Sequence, residues 1–282
     1  LIMAWKDTQL AKLPKDAPAS QQAEILAKTG DALGELGASD ESEEILRQAY
    51  ELDSNRGINY VRSLARTENA NAKQAAIRYL LNKLRNERKA DTARLLAGLL
   101  SVGSVPEELA DEGDEILSEI GGQNDANADL LLSIADMWLA QKKSSKAIDS
   151  YRKIVKLRPN DVVALNNLAI LLGEQPDGTQ EALSLIDQAI RIAGKQPLLL
   201  DSKAAILMLA NRVDEAIPIL EIAASSTNDP RVMFHLYLAL RRAGREEEAD
   251  RLKSKINIIE LKKSILTPDD QSELERFEQA NP

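Results

Sequence analysis

Apolar residues recur along this chain with a helical period. Between Ala128 and Asp161, Leu131, Ile134, Ala135 and Trp138 fall at i, i+3, i+4 and i+7, on one face of a helix. The segment from Gln141 to Ser145 is polar and reads as a turn. Beyond it, Ala147, Ile148, Tyr151, Ile154 and Val155 form a second stripe, and Pro159 follows where a helix cannot continue. The stretch is therefore two amphipathic helices joined by a short turn. Each is about 13 residues long, a length that is marginal for an isolated helix in water. The pair leaves apolar surface that a neighbour must bury.

The same plan repeats. Small residues equivalent to Ala147 stand at Ala182, Ala216 and Ala249, and before it at Ala110, Ala76 and Ser42, in steps of 33 to 37 residues. Four positions after them come Leu46, Leu80, Asp114, Tyr151, Ile186, Leu220 and Lys253. About twelve before them come Gly30, Leu64, Gly98, Ala135, Ala169, Ala204 and Tyr237, of which five are Gly or Ala and let two helices approach closely. A fixed period of this size decides the fold, because each unit is one helix pair that must stack on the next.

These features together resemble the tetratricopeptide repeat: a step near 34, paired helices, small residues at the crossing and a terminal proline. The resemblance covers about residues 23–263 as seven units, 23–56, 57–90, 91–127, 128–161, 162–196, 197–229 and 230–263. Ala128–Asp161 matches through Ala135, Trp138, Ala147, Tyr151 and Pro159, and Pro197–Asp229 through Ala204, Leu207, Ala216 and Ala223. The unit from Val162 to Gln196 carries one extra residue near Gln175–Gly178. Asp114 and Lys253 depart from the pattern, standing where an apolar residue is usual, and Tyr237 stands where a small one is. The resemblance implies an all-α, right-handed α-solenoid of tandem helix-turn-helix units. Residues 1–22 read as a lead-in or capping segment, 23–127 as divergent units, 128–263 as regular ones and 264–282 as a capping helix. Within that last segment, Thr267 is the expected N-cap, Pro268 the first helical residue, and Leu274 and Phe277 share a face. The joint at Gly121–Asp125 reads as a place where the array bends.

Composition narrows the function. The formal charge is −9 and the pI about 5.0, which opposes nucleic-acid binding. The absence of cysteine removes thiol chemistry, disulfides and cysteine metal sites. No apolar run approaches the roughly 20 residues that span a bilayer. The opening LIMAWKDTQL lacks an initiator Met and a secretory pattern, so the chain reads as a piece of a longer or processed protein. Its default compartment is the cytoplasm, or the periplasm if an upstream signal was removed. One histidine, His235, has no catalytic partner fixed by spacing, and no glycine-rich nucleotide loop follows a strand. Asp125, Asn127, Asp129 and Asp136 imitate a calcium loop in part, but Leu130 stands where its glycine is needed. No cofactor, metal or catalytic residue is expected.

In the family it resembles, the first helix of each pair lines a concave groove. That implies a non-catalytic protein-interaction scaffold that takes a peptide or helix from another protein. The groove residues implied are Leu132, Asp136, Asn166, Asn167, Ile170, Asp201, Ser202, Arg231, His235 and Arg242, with Leu95, Leu96, Leu99, Phe234, Leu238 and Arg241 on the same faces. Asn166 and Asn167 can both donate and accept to an extended backbone, and Arg231, Arg241 and Arg242 can meet carboxylates. The family's clamp for chaperone C-termini uses Lys, Asn, Asn, Lys and Arg on three consecutive first helices. Asn167 matches one place, but Leu132, Asp136, Leu198 and Ser202 fill the others, so that ligand is not expected. The alternatives are a self-associating structural element, with a homo-oligomer as its product, or an accessory region of a larger bacterial export or assembly protein. The latter follows from a likeness of the C-terminal section to the ends of long bacterial repeat proteins.

Circular dichroism is expected to show more than about half helix, against about one third for an ordinary domain. A value below half contradicts the array.

Overall fold

In a computed structural model, the structure describes residues 1–53, 56–57, 60, 63–64, 70–102, 105–123, 127–264 and 268–279, with the backbone alone at 39, 72, 75, 268 and 269. Among them are sixteen helices and no strand. The chain packs as two units, Leu1–Leu157 and Arg158–Pro282.

The first unit holds α1 (Ile2–Ala11), α2 (Ala19–Glu35), α3 (Ser39–Leu52), α4 (Ala70–Asn86), α5 (Ala90–Leu100), α6 (Glu107–Gly122), α7 (Ala128–Ala140) and α8 (Ser144–Leu157). The pairs are α2 with α3, α5 with α6, and α7 with α8. The first helix expected in the unit 57–90 lies mostly outside the described residues. Gly30 shows why small residues mark the crossings: a Cβ there would lie 2.5 Å from Leu46 Cγ on the facing helix. The hydroxyl of Ser42 is buried at the same crossing and donates to the Gly30 carbonyl at 2.7 Å, so its burial leaves no polar group unpaired. The two stripes read between Ala128 and Asp161 are interior apart from the half-buried Val155, with Ile134, Ala135, Ala147 and Tyr151 each at 0% exposure.

Asp114, the expected misfit, is accommodated by charge. It is buried on α6 and accepts hydrogen bonds from Trp138 Nε1 at 3.0 Å, Lys143 Nζ at 2.9 Å and Lys146 Nζ at 2.6 Å. Burial pushes its carboxyl up, but the two ammonium groups outweigh burial and hold it below the usual range. One carboxylate thereby ties α6 to α7 and to the start of α8. The expected bend at Gly121–Asp125 divides into two parts. Gly121 and Gly122 close α6, and Gly121 approaches α7 so closely that a Cβ would meet Ile134 Cδ1 at 3.3 Å. Its carbonyl accepts from Lys153 Nζ at 2.9 Å. Residues 124–126 lie outside the described residues.

The second unit holds α9 (Val162–Gly173), α10 (Thr179–Ala193), α11 (Pro197–Leu209), α12 (Val213–Ser225), α13 (Pro230–Arg242), α14 (Glu246–Lys253), α15 (Ile258–Lys263) and α16 (Pro268–Gln279). Asp161 and Asp229 cap α9 and α13 through the amides of Ala164 and Arg231. Pro197 and Pro230 sit in the first turns of α11 and α13, where a missing N–H costs nothing. First helices also touch the next first helix, α9 against α11 and α11 against α13. Lys253 is tolerated because α14 ends at it and leaves it half-buried. The expected N-cap Thr267 lies outside the described residues.

Asp114→Ala should lower stability in urea by about 1–3 kcal/mol, the usual cost of removing charged, buried hydrogen bonds. The depressed carboxyl contributes stability above its unfolded pKa and loses it as pH falls through the folded value. The gap between wild type and variant should therefore close in acid. A gap that does not change with pH contradicts the ion cluster.

Candidate functional site

The site is built on the first helices. In α9, Asn166, Asn167 and Ile170 are half-buried. Asn166 Nδ2 donates to Asn167 Oδ1 at 3.3 Å, and Asn166 Oδ1 is sheltered from solvent yet accepts no hydrogen bond from the chain. A buried acceptor without a donor is costly, and a ligand N–H would relieve it. On α11, Asp201 and Ser202 are half-buried, and the Ser202 hydroxyl donates back to the Leu198 carbonyl at 3.0 Å.

His235 on α13 lies between two carboxylates. Its Nδ1 lies 2.7 Å from Asp201 Oδ1 and its Nε2 lies 3.4 Å from Asp270 Oδ1 on α16. The side chains of Asp201, His235 and Asp270 are only 15%, 19% and 17% exposed. Burial alone would lower the imidazole, but the two flanking carboxylates outweigh it and raise the pKa to about 10. At neutral pH both ring nitrogens carry protons and donate. A base that is already protonated cannot accept a proton, so this geometry does not suit general-base catalysis. Arg231 and Asp229 complete the surroundings. Arg231 is turned onto Asp229 at 2.6 Å, which holds that carboxyl below its usual range.

Several expectations for this face meet a different arrangement. Arg231 and Arg241 are engaged within the chain, the latter with Glu246 at 2.7 Å, while Arg242 is exposed. Of the three arginines expected to meet foreign carboxylates, two already face carboxylates of their own chain. Leu95, Leu96, Leu99, Phe234 and Leu238 are buried in the interior rather than lining a surface. In the first unit Leu132 is half-buried. Asp136 accepts from the buried Tyr151 hydroxyl at 3.2 Å, and partial burial raises its carboxyl. Asn127 caps α7 through the Leu130 amide, a helix start rather than a calcium ligand. Asp125 lies outside the described residues, among which no group of three His, Asp or Glu is arranged to hold a metal ion.

The sequence reading missed Asp270 as a partner of His235. The signal was present: Asp201 and His235 are 34 residues apart and Asp270 lies 35 further on, so all three share one position of the repeat. It also missed what the misplaced Tyr237 does. Its ring meets Phe277 edge-on, with centroids 5.0 Å apart, and stacks on Phe234.

The comparisons agree with this architecture. The tetratricopeptide repeat family matches residues 23–56, the first of the seven units. A tetratricopeptide repeat protein from Parabacteroides merdae superposes with a TM-score of 0.58 at 14% identity, covering 91% of this chain and 98% of that one. The structure of Pseudomonas aeruginosa pilF gives a TM-score of 0.50 at 14% identity over 85% of this chain and 92% of its own. No curated protein matches the sequence. Residues 23–56 match the tetratricopeptide repeat, and the chain has the fold of tetratricopeptide-repeat proteins, all-α and built as tandem helix pairs.

The raised pKa has a sign. His235 contributes stability that is complete below about 6.5, the unperturbed value, and is lost as pH rises through about 10. Because it is the lone histidine, its imidazole carbon-bound proton resonances are unambiguous in an NMR titration. They should hold their protonated shifts at pH 8. A midpoint near 6.5 contradicts the ion triad.

Proposed function

We propose that the chain is a non-catalytic protein-interaction scaffold, and that the first-helix face of residues 158–282 holds a peptide or helix of another protein. Tetratricopeptide-repeat proteins generally bind proteins or peptides, which supports the class. The observation that carries the reading is Asn166 Oδ1, a sheltered acceptor with no donor from its own chain. Asn167 stands beside it, with Ile170 one turn along. A backbone amide of a ligand would satisfy Asn166 once its side chain turns outward, an apolar side chain would meet Ile170, and Asp201 and Ser202 continue the polar row on α11. Of the three arginines read onto this face, Arg242 is left for a carboxylate. Leu132 and Asp136 hold the corresponding place on α7.

A second reading, self-association, is favoured by α1. None of its residues is buried, and Met3 and Trp5 are 41% and 43% exposed. A cleft of about 370 Å³ beside it is lined by Leu1, Ile2, Trp5, Lys28, Thr29 and Ala32. Such an apolar end suits another helix.

Affinity capture from the source cell should recover partners with wild type and lose them with Asn166→Ala/Asn167→Ala. Equal recovery by both contradicts the α9 assignment. Light scattering against concentration separates the second reading, which requires the mass to rise.

A further inference from the structure

Beyond α13, the next step of the sequence repeat falls on α16. Asp270 occupies on it the place that His235 holds on α13 and Asp201 on α11, in steps of 35 and 34 residues. Three side chains of alternating sign thus run across α11, α13 and α16. Leu274 and Phe277 follow Asp270 by four and seven residues, so carboxylate, aliphatic and aromatic groups share one face. That face meets α13. Asp270 reaches His235, Leu274 and Phe277 are each 6% exposed, and Phe277 lies edge-on to Tyr237 at 5.0 Å and to Phe234 at 6.0 Å. Lys262 on α15 holds Glu278 at 2.5 Å. The aromatic platform exists because Tyr237 replaces the Gly or Ala found at that place in five of the seven units.

The attachment is slight compared with other first helices. α11 buries Leu199, Leu200, Ala204, Ile206 and Leu207. α16 buries Leu274 and Phe277 among its described residues. A helix of 12 residues does not persist alone in water. Five carboxylates against one arginine make it strongly acidic, which suits a site whose centre is the His235 cation.

We propose that α16 is an internal ligand: it occupies a docking site on α13 for an acidic amphipathic helix, and a partner helix with the same Asp-x3-Leu-x2-Phe spacing displaces it. The site comprises the His235 imidazolium for the carboxylate and the Phe234–Tyr237 platform for the aromatic ring. In the docked state the C-terminal end of the first-helix face is closed to partners, an autoinhibitory contact. The inference rests on the reading of that face as an interaction surface, and it concerns α13 rather than α9.

The test uses the full chain carrying Leu274→Asp and Phe277→Asp, which undocks α16. The probe is a fluorescein-labelled peptide of residues 268–279. Fluorescence anisotropy, taken to millimolar protein at low salt, should show binding to the undocked chain and at least ten-fold weaker binding to wild type. Adding His235→Ala to the undocked chain, or Asp270→Asn to the peptide, should weaken binding at least five-fold. Asn166→Ala/Asn167→Ala should leave it unchanged, so that a failure of the α9 assignment and a failure of this one are read separately. If the undocked chain loses its helix signal, Phe277→Ala alone takes its place, with hydrogen exchange of residues 268–279 expected to speed at least ten-fold. No binding to an undocked chain that keeps its fold, equal binding to wild type and undocked chain, or unchanged exchange in Phe277→Ala overturns the proposal.

Discussion

Two helices of this length cannot cover their own apolar stripes, and the structure is arranged around that shortage. Every pair must be closed by another helix, so the side chains at the crossings are fixed in size before anything else is decided. Gly30, which brings a backbone within reach of Leu46, and the 0% exposed Ala147, Ala182, Ala216 and Ala249 are the local solutions. Because each contact is with a neighbour, stability in such an array adds up unit by unit. On α9 and α11, half-buried residues such as Asn166, Asn167, Asp201 and Ser202 are left where packing does not dictate the side chain.

Charge enters where packing is incomplete. Asp114 and His235 are both ionisable groups within or near the interior, and each is held by two groups of opposite sign. Their effects run in opposite directions with pH, since one is depressed by ammonium groups and the other raised by carboxylates. Each joins three helices: Asp114 reaches α7 and the approach to α8 from α6, and His235 reaches α11 and α16 from α13. A pair broken on one side would leave the remaining charge poorly solvated, which is why such contacts fix an arrangement more firmly than they stabilise it.

The period was legible because crossing positions tolerate only small side chains, and the ladder from Ser42 to Ala249 repeats at every turn of the array. The stripes of residues 128–161 were legible for the same reason. Departures from the pattern were harder to interpret, because one residue does not disclose its partner. Asp114 looked like a defect until Lys143 and Lys146 were seen to converge on it from a loop and the next helix. Tyr237 looked equally misplaced until Phe277 supplied its counterpart 40 residues on. The arginines misled in the other direction. A spacing rule puts Arg231 and Arg241 on an available face, but side chains this long bend back to nearby carboxylates, here Asp229 and Glu246. Leu95, Leu96 and Leu99 failed because adjacent leucines on a short helix all find cover when helices pack on both sides.

Each helix is held by its neighbours, up to and including α16 on α13. Amide hydrogen exchange resolved by segment addresses this most directly. Residues 268–279 should be protected well beyond a free peptide in wild type. Replacing His235 by Ala should release them while residues 128–157 keep their protection. Exchange of residues 268–279 at free-peptide rates in wild type contradicts the account.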